Sequence, residues 1–120
     1  MKIAIPVNTK FNDREISTTF GRAPSFMIYD NNDKSMKFID NAQNLNAVQG
    51  AGIQSAQNII KEDVNSLITF HCGPKAFKVL KAAGITIYQA TSNNITLSLE
   101  LLSTGSLVEI VKADVQGHWM

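Results

Sequence analysis

The sequence predicts an α/β protein of three layers, in which a mixed sheet of about five strands has helices on its faces. In the N-terminal third, short apolar runs alternate with polar turns, which is typical of strands. In the rest of the chain, helical periodicity alternates with short apolar runs. The short connections there favour right-handed crossovers, so we expect the later strands to pair in parallel.

The N-terminal third contains three predicted strands. Residues 3–7 are apolar throughout, as in a strand covered on both faces. Because proline cannot donate to a ladder, we expect a bulge or a strand end at Pro6. Two further strands, at 26–30 and 35–39, flank a turn at 31–34 whose Asn and Asp residues tolerate left-handed backbone, so these strands form a hairpin.

The rest of the chain contains three predicted helices. The first, over 52–62, has apolar residues at helical spacing on one face. The second, over 74–83, begins with a proline and has Gly84 just past its end. The third runs to about Ser103, and three residues are able to cap its start: Ser92, Asn93 and Asn94. Two buried strands and a short final element complete the pattern, at 67–70, 85–88 and 107–111.

Composition excludes several classes of protein. The 120 residues fit one domain over 1–120, with a tail at 112–120 that we expect to fray. A formal net charge of +1 without a dense basic run argues against nucleic-acid binding. No apolar run approaches the roughly 20 residues of a membrane span, and the N-terminus is typical of a strand rather than a signal peptide. A single cysteine cannot form an internal disulfide, which suits the cytoplasm.

The segment at 17–26 is the first candidate binding element. Gly21 would let the backbone approach a ligand closely, and the planar guanidinium of Arg22 would bind a carboxylate or phosphate. The alternative is a turn with a surface arginine and a core phenylalanine, and composition alone favours it.

The second candidate, Gly50 to Gly52, opens the first predicted helix. Backbone N–H groups and the helix dipole make such a start a natural anion site. It is not a dinucleotide fingerprint, because Ser55 stands where the third glycine is required. Tight packing of the glycines is the alternative explanation.

The third candidate, His71 beside Cys72, follows a predicted strand and precedes a helix, where open α/β sheets bind ligands. Adjacent side chains on extended backbone point to opposite faces, which disfavours a Cys–His catalytic dyad. The remaining histidine is His118, in the tail, so the chain lacks four Cys or His ligands for a closed zinc site. A cluster held by one or two protein ligands remains open, and so does a buried structural cysteine.

Motifs of the common enzyme classes are missing. The sequence has no P-loop and no H-E-x-x-H motif, and its carboxylates are too scattered for a two-metal nuclease. A thiol-dependent enzyme would need a readily ionised Cys72, and we rank this hypothesis last. The chain is therefore predicted to bind rather than to catalyse.

Several segments together carry a family resemblance through their order and spacing: 1–7, 20–26, 50–52, 73–77 and 80–85. In these segments the chain resembles the dinitrogenase iron-molybdenum cofactor biosynthesis family, which includes NifX, the core of NafY and the C-terminal part of NifB. The likeness covers roughly residues 1–111. It implies a ribonuclease-H-like α/β/α fold and a NifX-like carrier of iron–sulfur precursors of the nitrogenase cofactor. It also implies a role in nitrogen fixation, with cofactor-biosynthesis proteins as partners.

The chain departs from the family pattern at two positions. Many relatives have a histidine before Phe-Gly and another near Gly-Ala-Gly, whereas Thr19 and Gln49 occupy these positions here. Threonine and glutamine are poor ligands for iron in a sulfur-rich cluster. We therefore assign metal binding to His71 and Cys72, because thiolate suits iron–sulfur chemistry. The predicted cofactor-binding residues are those of the three glycine-containing segments: Phe20, Gly21, Arg22, Gly50, Gly52 and Gly73.

The expected cargo is an iron–sulfur cluster or an iron-molybdenum cofactor precursor. The alternative on the same fold is a metal-free module that binds a small anion or a protein partner. The sequence leaves the oligomeric state open.

Overall fold

The computed structural model describes residues 1–8, 15–41 and 50–112. The elements in chain order are β1 (Lys2–Val7), β2 (Ser25–Asp30), β3 (Ser35–Asp40), α1 (Ala51–Ile60), β4 (Ser66–Thr69), α2 (Pro74–Ala82), β5 (Thr86–Gln89) and α3 (Ile95–Ser103). The strands form a five-stranded sheet with the order β3-β2-β1-β4-β5. The pairs β1–β2 and β2–β3 are antiparallel, whereas β1–β4 and β4–β5 are parallel, which confirms the predicted mixed sheet.

Helices cover both faces of the sheet. On one face α1 and α2 pack together, and their residues Ile59 and Leu80 belong to a buried core with strand residues such as Leu67. On the other face Ile95 of α3 packs in a second core that includes Ile68. The three-layer, ribonuclease-H-like α/β/α arrangement implied by the resemblance is therefore confirmed.

Strand β1 occupies the centre of the sheet despite its proline. Its register with β2 is regular through Pro6 to Val7, so the expected bulge or strand end is wrong. The Pro6 carbonyl accepts the Ser17 N–H at 2.8 Å and so points away from β2. Pairing with β4 is at Ile3 and Ala4, before the proline. The missing N–H therefore costs the β1–β2 ladder nothing.

Local turn and cap residues set several boundaries as predicted. In the β2–β3 turn, a carboxylate oxygen of Asp33 accepts the Ser35 N–H at 3.0 Å, and Lys34 adopts a positive φ of 60°. Helix α3 begins after Asn94, whose side-chain oxygen accepts the Leu97 N–H at 2.8 Å. Asn94 is thus the cap among the three candidates.

The predicted final element pairs with β5. The Gln89 N–H donates to the Val108 carbonyl at 2.8 Å, and the Ile110 N–H donates to the Ile87 carbonyl at 2.7 Å. This antiparallel bridge, centred on Glu109, covers the outer edge of β5.

Some sequence predictions fall outside the described residues: those on Gln49, on His118 and on the tail beyond Lys112. Within the described ranges, the helices are too short and too polar to cross a membrane.

Candidate functional site

Two of the candidate binding segments, 17–26 and 50–52, meet at the start of α1. A Cβ added at Gly21 would lie 3.0 Å from the Gly52 nitrogen and 3.2 Å from its Cα. These distances are tighter than nearly all real Cβ contacts, so the loop before β2 and the first turn of α1 touch backbone to backbone. A side chain at position 21 would fit only if this backbone contact shifted, which favours glycine there.

The first turn of α2 lies next to the first turn of α1. A Cβ at Gly52 would lie 3.4 Å from the Cβ of Ala76, so the first turns of α1 and α2 pack side by side. Gly50, which precedes α1, has a φ of +82° and needs glycine for that conformation. Gly73, which precedes α2, has a φ of −67° and no atom within 4 Å of an added Cβ, so its surroundings do not require glycine.

A buried polar network fixes the loop before β2 to α1. Asn41, which is 0% exposed, donates from its amide to the Ala23 carbonyl at 2.8 Å and to the Ser55 hydroxyl at 2.9 Å. The Ser55 hydroxyl donates in turn to the Gly21 carbonyl at 2.8 Å. The Asn58 amide donates to the Asn41 carbonyl oxygen at 2.7 Å. The sequence analysis did not predict this network. The one feature of the sequence that pointed to it is Ser55, a polar residue on the apolar face of the first predicted helix.

The side chains on either side of Gly21 have different surroundings. Phe20 is 4% exposed and packs with its ring centroid 5.3 Å from that of Phe26, so it anchors the loop in the core. Arg22 is exposed. Its guanidinium is therefore accessible to an anion in solution, whereas the Phe20 ring is not accessible to a ligand from solution.

The N-termini of α1 and α2 add positive electrostatic potential where the two helices meet the loop before β2. The first backbone N–H groups of a helix lack intrahelical partners and lie at the positive end of its dipole. The first turns of α1 and α2 contain no acidic residue, and Lys75, in the first turn of α2, is exposed. Two adjacent helix N-termini and Arg22 together suit an anionic ligand.

His71 and Cys72 lie in the connection from β4 to α2. Cys72 is 1% exposed and belongs to the core on the α1–α2 face, as a structural cysteine would. His71 is half-buried, and its carbonyl accepts the Thr69 hydroxyl at 3.2 Å. His71 is therefore the more accessible of the two candidate ligands.

The donor set limits how a metal could be held. In the part of the chain that the structure describes, no three His, Cys, Asp or Glu side chains lie together as a metal-binding group. Thr19 is exposed, and its N–H donates to the Ser17 hydroxyl at 3.2 Å. These donors fit a preassembled cluster held by one or two protein ligands, and they do not fit a complete protein cage.

A separate cleft of about 510 Å³ lies at the opposite end of the sheet. It is bounded by the start of β1, the β2–β3 hairpin and the second half of α3, and its walls include Tyr29, Met36 and Leu99. None of the predicted site residues lines it.

Comparison with known proteins gives the same architecture. The family model described as "Dinitrogenase iron-molybdenum cofactor" matches residues 1–105. An uncharacterised protein of Methanocaldococcus jannaschii is 36% identical over 110 residues, which are 89% of either chain. The apo form of the orange protein from Desulfovibrio gigas has a TM-score of 0.88 at 28% identity, covering 94% of this chain and 95% of that one. A candidate NifB protein from Thermotoga has a TM-score of 0.82 at 28% identity, covering 97% and 98%.

Proposed function

The chain belongs to the dinitrogenase iron-molybdenum cofactor family, and from that premise we propose that it is a small binding protein that carries an iron–sulfur-type metallocluster or its precursor as cargo. The observation that carries this proposal is the contact of Gly21 with Gly52 and of Gly52 with Ala76. These contacts bring the two helix N-termini and the Arg22 loop to one place.

The first requirement for binding such a cargo is positive charge, and the region at the starts of α1 and α2 supplies it. Clusters of iron, sulfide and thiolate or organic acid carry net negative charge. Arg22 is exposed and able to form paired hydrogen bonds to carboxylate or phosphate oxygens. The backbone N–H groups at the starts of α1 and α2 add donors whose positions are fixed by the helices.

Metal ligation is the second requirement, and we assign it to His71 and Cys72. The imidazole of His71 is half-buried and is the ligand that reaches the cargo first. Cys72 is 1% exposed, so its thiolate reaches the cargo only after the connection between β4 and α2 turns outward. Gly73 is the residue at which this turn is easiest, because glycine has the widest backbone freedom.

The role is that of a carrier in the cytoplasm, loaded by one cofactor-biosynthesis protein and unloaded by another. One of the similar structures is described as an apo form, a description that applies to proteins with a ligand-bound counterpart. A carrier needs a cargo that leaves again, which suits one or two protein ligands better than a full cage.

A second candidate function is supported by the same positively charged region at the starts of α1 and α2. Arg22 and the helix N-termini need no metal in order to bind a small organic or inorganic anion. On this alternative the protein is a metal-free anion-binding module, and Cys72 stays a buried core residue.

Anaerobic reconstitution separates the two functions. Apo-protein is incubated with iron and sulfide and desalted, and the iron content and the visible spectrum are then measured. The carrier proposal expects retained iron with sulfide-to-iron absorption, lost in Cys72→Ala and reduced in His71→Ala. Phe77→Ala, in the same helix layer but outside the predicted site, is the control for a general loss of stability.

The opposite outcome is also informative. If the protein retains no iron, but binds citrate or phosphate with an affinity that Arg22→Ala removes, the metal-free module is the correct function. Iron retention that is equal in wild type, His71→Ala and Cys72→Ala would reject both assigned ligands.

A further inference from the structure

The cleft between the β2–β3 hairpin and the second half of α3 has the dimensions of a small-molecule site. Its volume is about 510 Å³, and ligand pockets commonly measure roughly 300–1,000 Å³. All the residues that line it belong to the described part of the chain. None of them belongs to the candidate site at the starts of α1 and α2, so the cleft is a separate place at which a ligand can bind.

Apolar side chains form most of the wall of the cleft. Ile3 of β1 is 3% exposed and belongs to the core on the α3 face, and Tyr29 and Leu99 pack against that core. Met1 and Met36 also line the cleft, and they are two of the five large apolar side chains that are exposed in the described part of the chain. Exposed apolar side chains that gather around one concave surface are typical of a binding site.

Two opposite charges lie on different walls of the cleft. Lys34 lies in the hairpin and Glu100 on α3, and both side chains are exposed. In the described part of the chain, neither of these side chains forms an ion pair. The Met1 amino group, by contrast, donates to the Asn31 side-chain oxygen at 2.9 Å and lies 4.0 Å from an Asp30 carboxylate oxygen. Lys34 and Glu100 are therefore the charges of the cleft that a ligand can pair with.

Lys34 occupies a backbone position that does not favour lysine. Its φ of 60° lies in the left-handed region, which glycine adopts without the steric cost that a Cβ brings. Glycine or asparagine is therefore the usual residue at such a position of a turn. Neither the turn geometry nor an ion pair with a described residue accounts for a lysine at this position, whereas contact of its ammonium with a ligand in the cleft does.

The two charges limit the class of ligand. An anionic ligand would pair with Lys34 but would also meet the carboxylate of Glu100, and a cationic ligand would meet the reverse conflict. A ligand that has both charges pairs with both side chains. The apolar wall requires in addition that the body of the ligand be apolar.

We propose that this cleft binds a small zwitterion with an apolar body, such as a dipeptide of large apolar residues. The carboxylate of the ligand pairs with the Lys34 ammonium, and its ammonium pairs with the Glu100 carboxylate. The apolar body covers Tyr29, Met36 and Leu99. This inference is independent of the proposed function, because none of the residues assigned to the cluster cargo lines the cleft.

Three related probes test the two charge contacts by isothermal titration calorimetry. Leucyl-leucine has both charges, N-acetyl-leucyl-leucine lacks the ammonium, and leucyl-leucinamide lacks the carboxylate. Each of the two blocked probes should bind roughly tenfold more weakly than leucyl-leucine, because it loses one charge-assisted hydrogen bond. Glu100→Gln should weaken leucyl-leucine by a similar factor and should leave the affinity for N-acetyl-leucyl-leucine nearly unchanged.

Lys34→Gly separates binding from stability. This variant removes the ammonium and also the steric cost of the positive φ, so it should lose roughly tenfold in affinity for leucyl-leucine while unfolding at the same or a higher urea concentration than the wild type. Asp63→Gly is the matched control. Asp63 is exposed, has a φ of 58° and does not line the cleft, so this variant should keep the affinity of the wild type.

Three results would overturn the proposal. They are a wild type that does not bind leucyl-leucine at millimolar concentration, equal affinity for the three probes, and equal loss of affinity in Lys34→Gly and Asp63→Gly. Iron retention after anaerobic reconstitution should be the same in Lys34→Gly, Glu100→Gln and the wild type. Failure of the cleft proposal would therefore leave the carrier proposal standing, and the reverse also holds.

Discussion

Gly21 contacts the backbone of Gly52 so closely that a Cβ at position 21 would lie 3.0 Å from the Gly52 nitrogen. The two glycines are far apart in sequence and meet because the loop before β2 crosses the first turn of α1. Arg22 follows Gly21 directly, so the packing of two glycines brings the backbone of a charged residue close to the start of a helix.

Gly21→Ala should lower the free energy of unfolding by about 1–3 kcal/mol, because the added methyl overpacks against backbone that has little room to move. Urea unfolding measures this change. Gly73→Ala is the matched control, with a φ of −67° that alanine adopts and no atom within 4 Å of the new methyl. Equal losses in the two variants would show that the contact with Gly52 is not the cause.

Asn41→Ala should also destabilise the protein, for a different reason. It leaves the Ala23 carbonyl and the Asn58 amide without their hydrogen bonds to Asn41. The expected loss is about 1–3 kcal/mol for the buried Ala23 carbonyl, with a smaller addition from the half-buried Asn58 amide. Asn93→Ala removes an exposed bond to Glu15 instead, and thermal unfolding should show a much smaller change for it. Similar melting temperatures for the two variants would argue against the buried network.

The cap of α3 offers a third measurement. Asn94→Ala removes the acceptor of the Leu97 N–H and should cost about 1 kcal/mol. Asn94→Asp keeps an oxygen acceptor at the same place and should retain the stability of the wild type. Guanidinium unfolding of the three proteins makes the comparison, and a loss in Asn94→Asp as large as in Asn94→Ala would contradict the capping role.

Asp33 should titrate below its ordinary range. Hydrogen bonds from the Ser35 side chain and then from its backbone N–H lower the pKa of the Asp33 carboxyl. Because the folded-state pKa is depressed, the resulting stability is present above the ordinary pKa and is lost as the pH falls through the lowered one. Ser35→Ala removes the side-chain bond and should raise the pKa of Asp33, measured by NMR titration of its carboxyl carbon. An unchanged titration in this variant would show that the backbone bond alone sets the pKa.

The sequence predicted those parts of the fold that local chemistry determines. The β2–β3 turn and the Asn94 cap depend on residues within a few positions of one another, so the residue types alone indicate them. The expectation at Pro6 was wrong because proline harms a strand only where a neighbouring strand needs its N–H. Pro6 faces away from β2, and β4 pairs with β1 only at Ile3 and Ala4, so no ladder bond is lost. Where β4 stops pairing is a property of the assembled sheet.

The candidate site was less predictable than the fold. The sequence placed Gly21 and Gly52 among the binding residues, but their contact depends on how the loop and α1 pack on the sheet. The Asn41–Ser55 hydrogen bond likewise joins a strand end to a helix face. No local pattern marks such partners, because each residue alone is ordinary in its own segment.

Arg22 provides the prediction that bears most directly on the site. Arg22→Ala should weaken the binding of citrate or phosphate by roughly tenfold or more, because a charge-assisted hydrogen bond contributes about 1.5–3 kcal/mol. Its unfolding free energy should stay close to that of the wild type, since the side chain is exposed. Isothermal titration calorimetry measures the affinity.

Two further variants separate general charge from local geometry at Arg22. Lys61→Ala removes an exposed positive charge at the other end of α1, and it should leave anion affinity nearly unchanged at physiological salt, where separated charges are screened. Arg22→Lys keeps the charge but loses the planar fork, so it should bind with intermediate affinity. If Lys61→Ala weakens binding as much as Arg22→Ala, the anion responds to net charge, and the loop beside Gly52 is not its site.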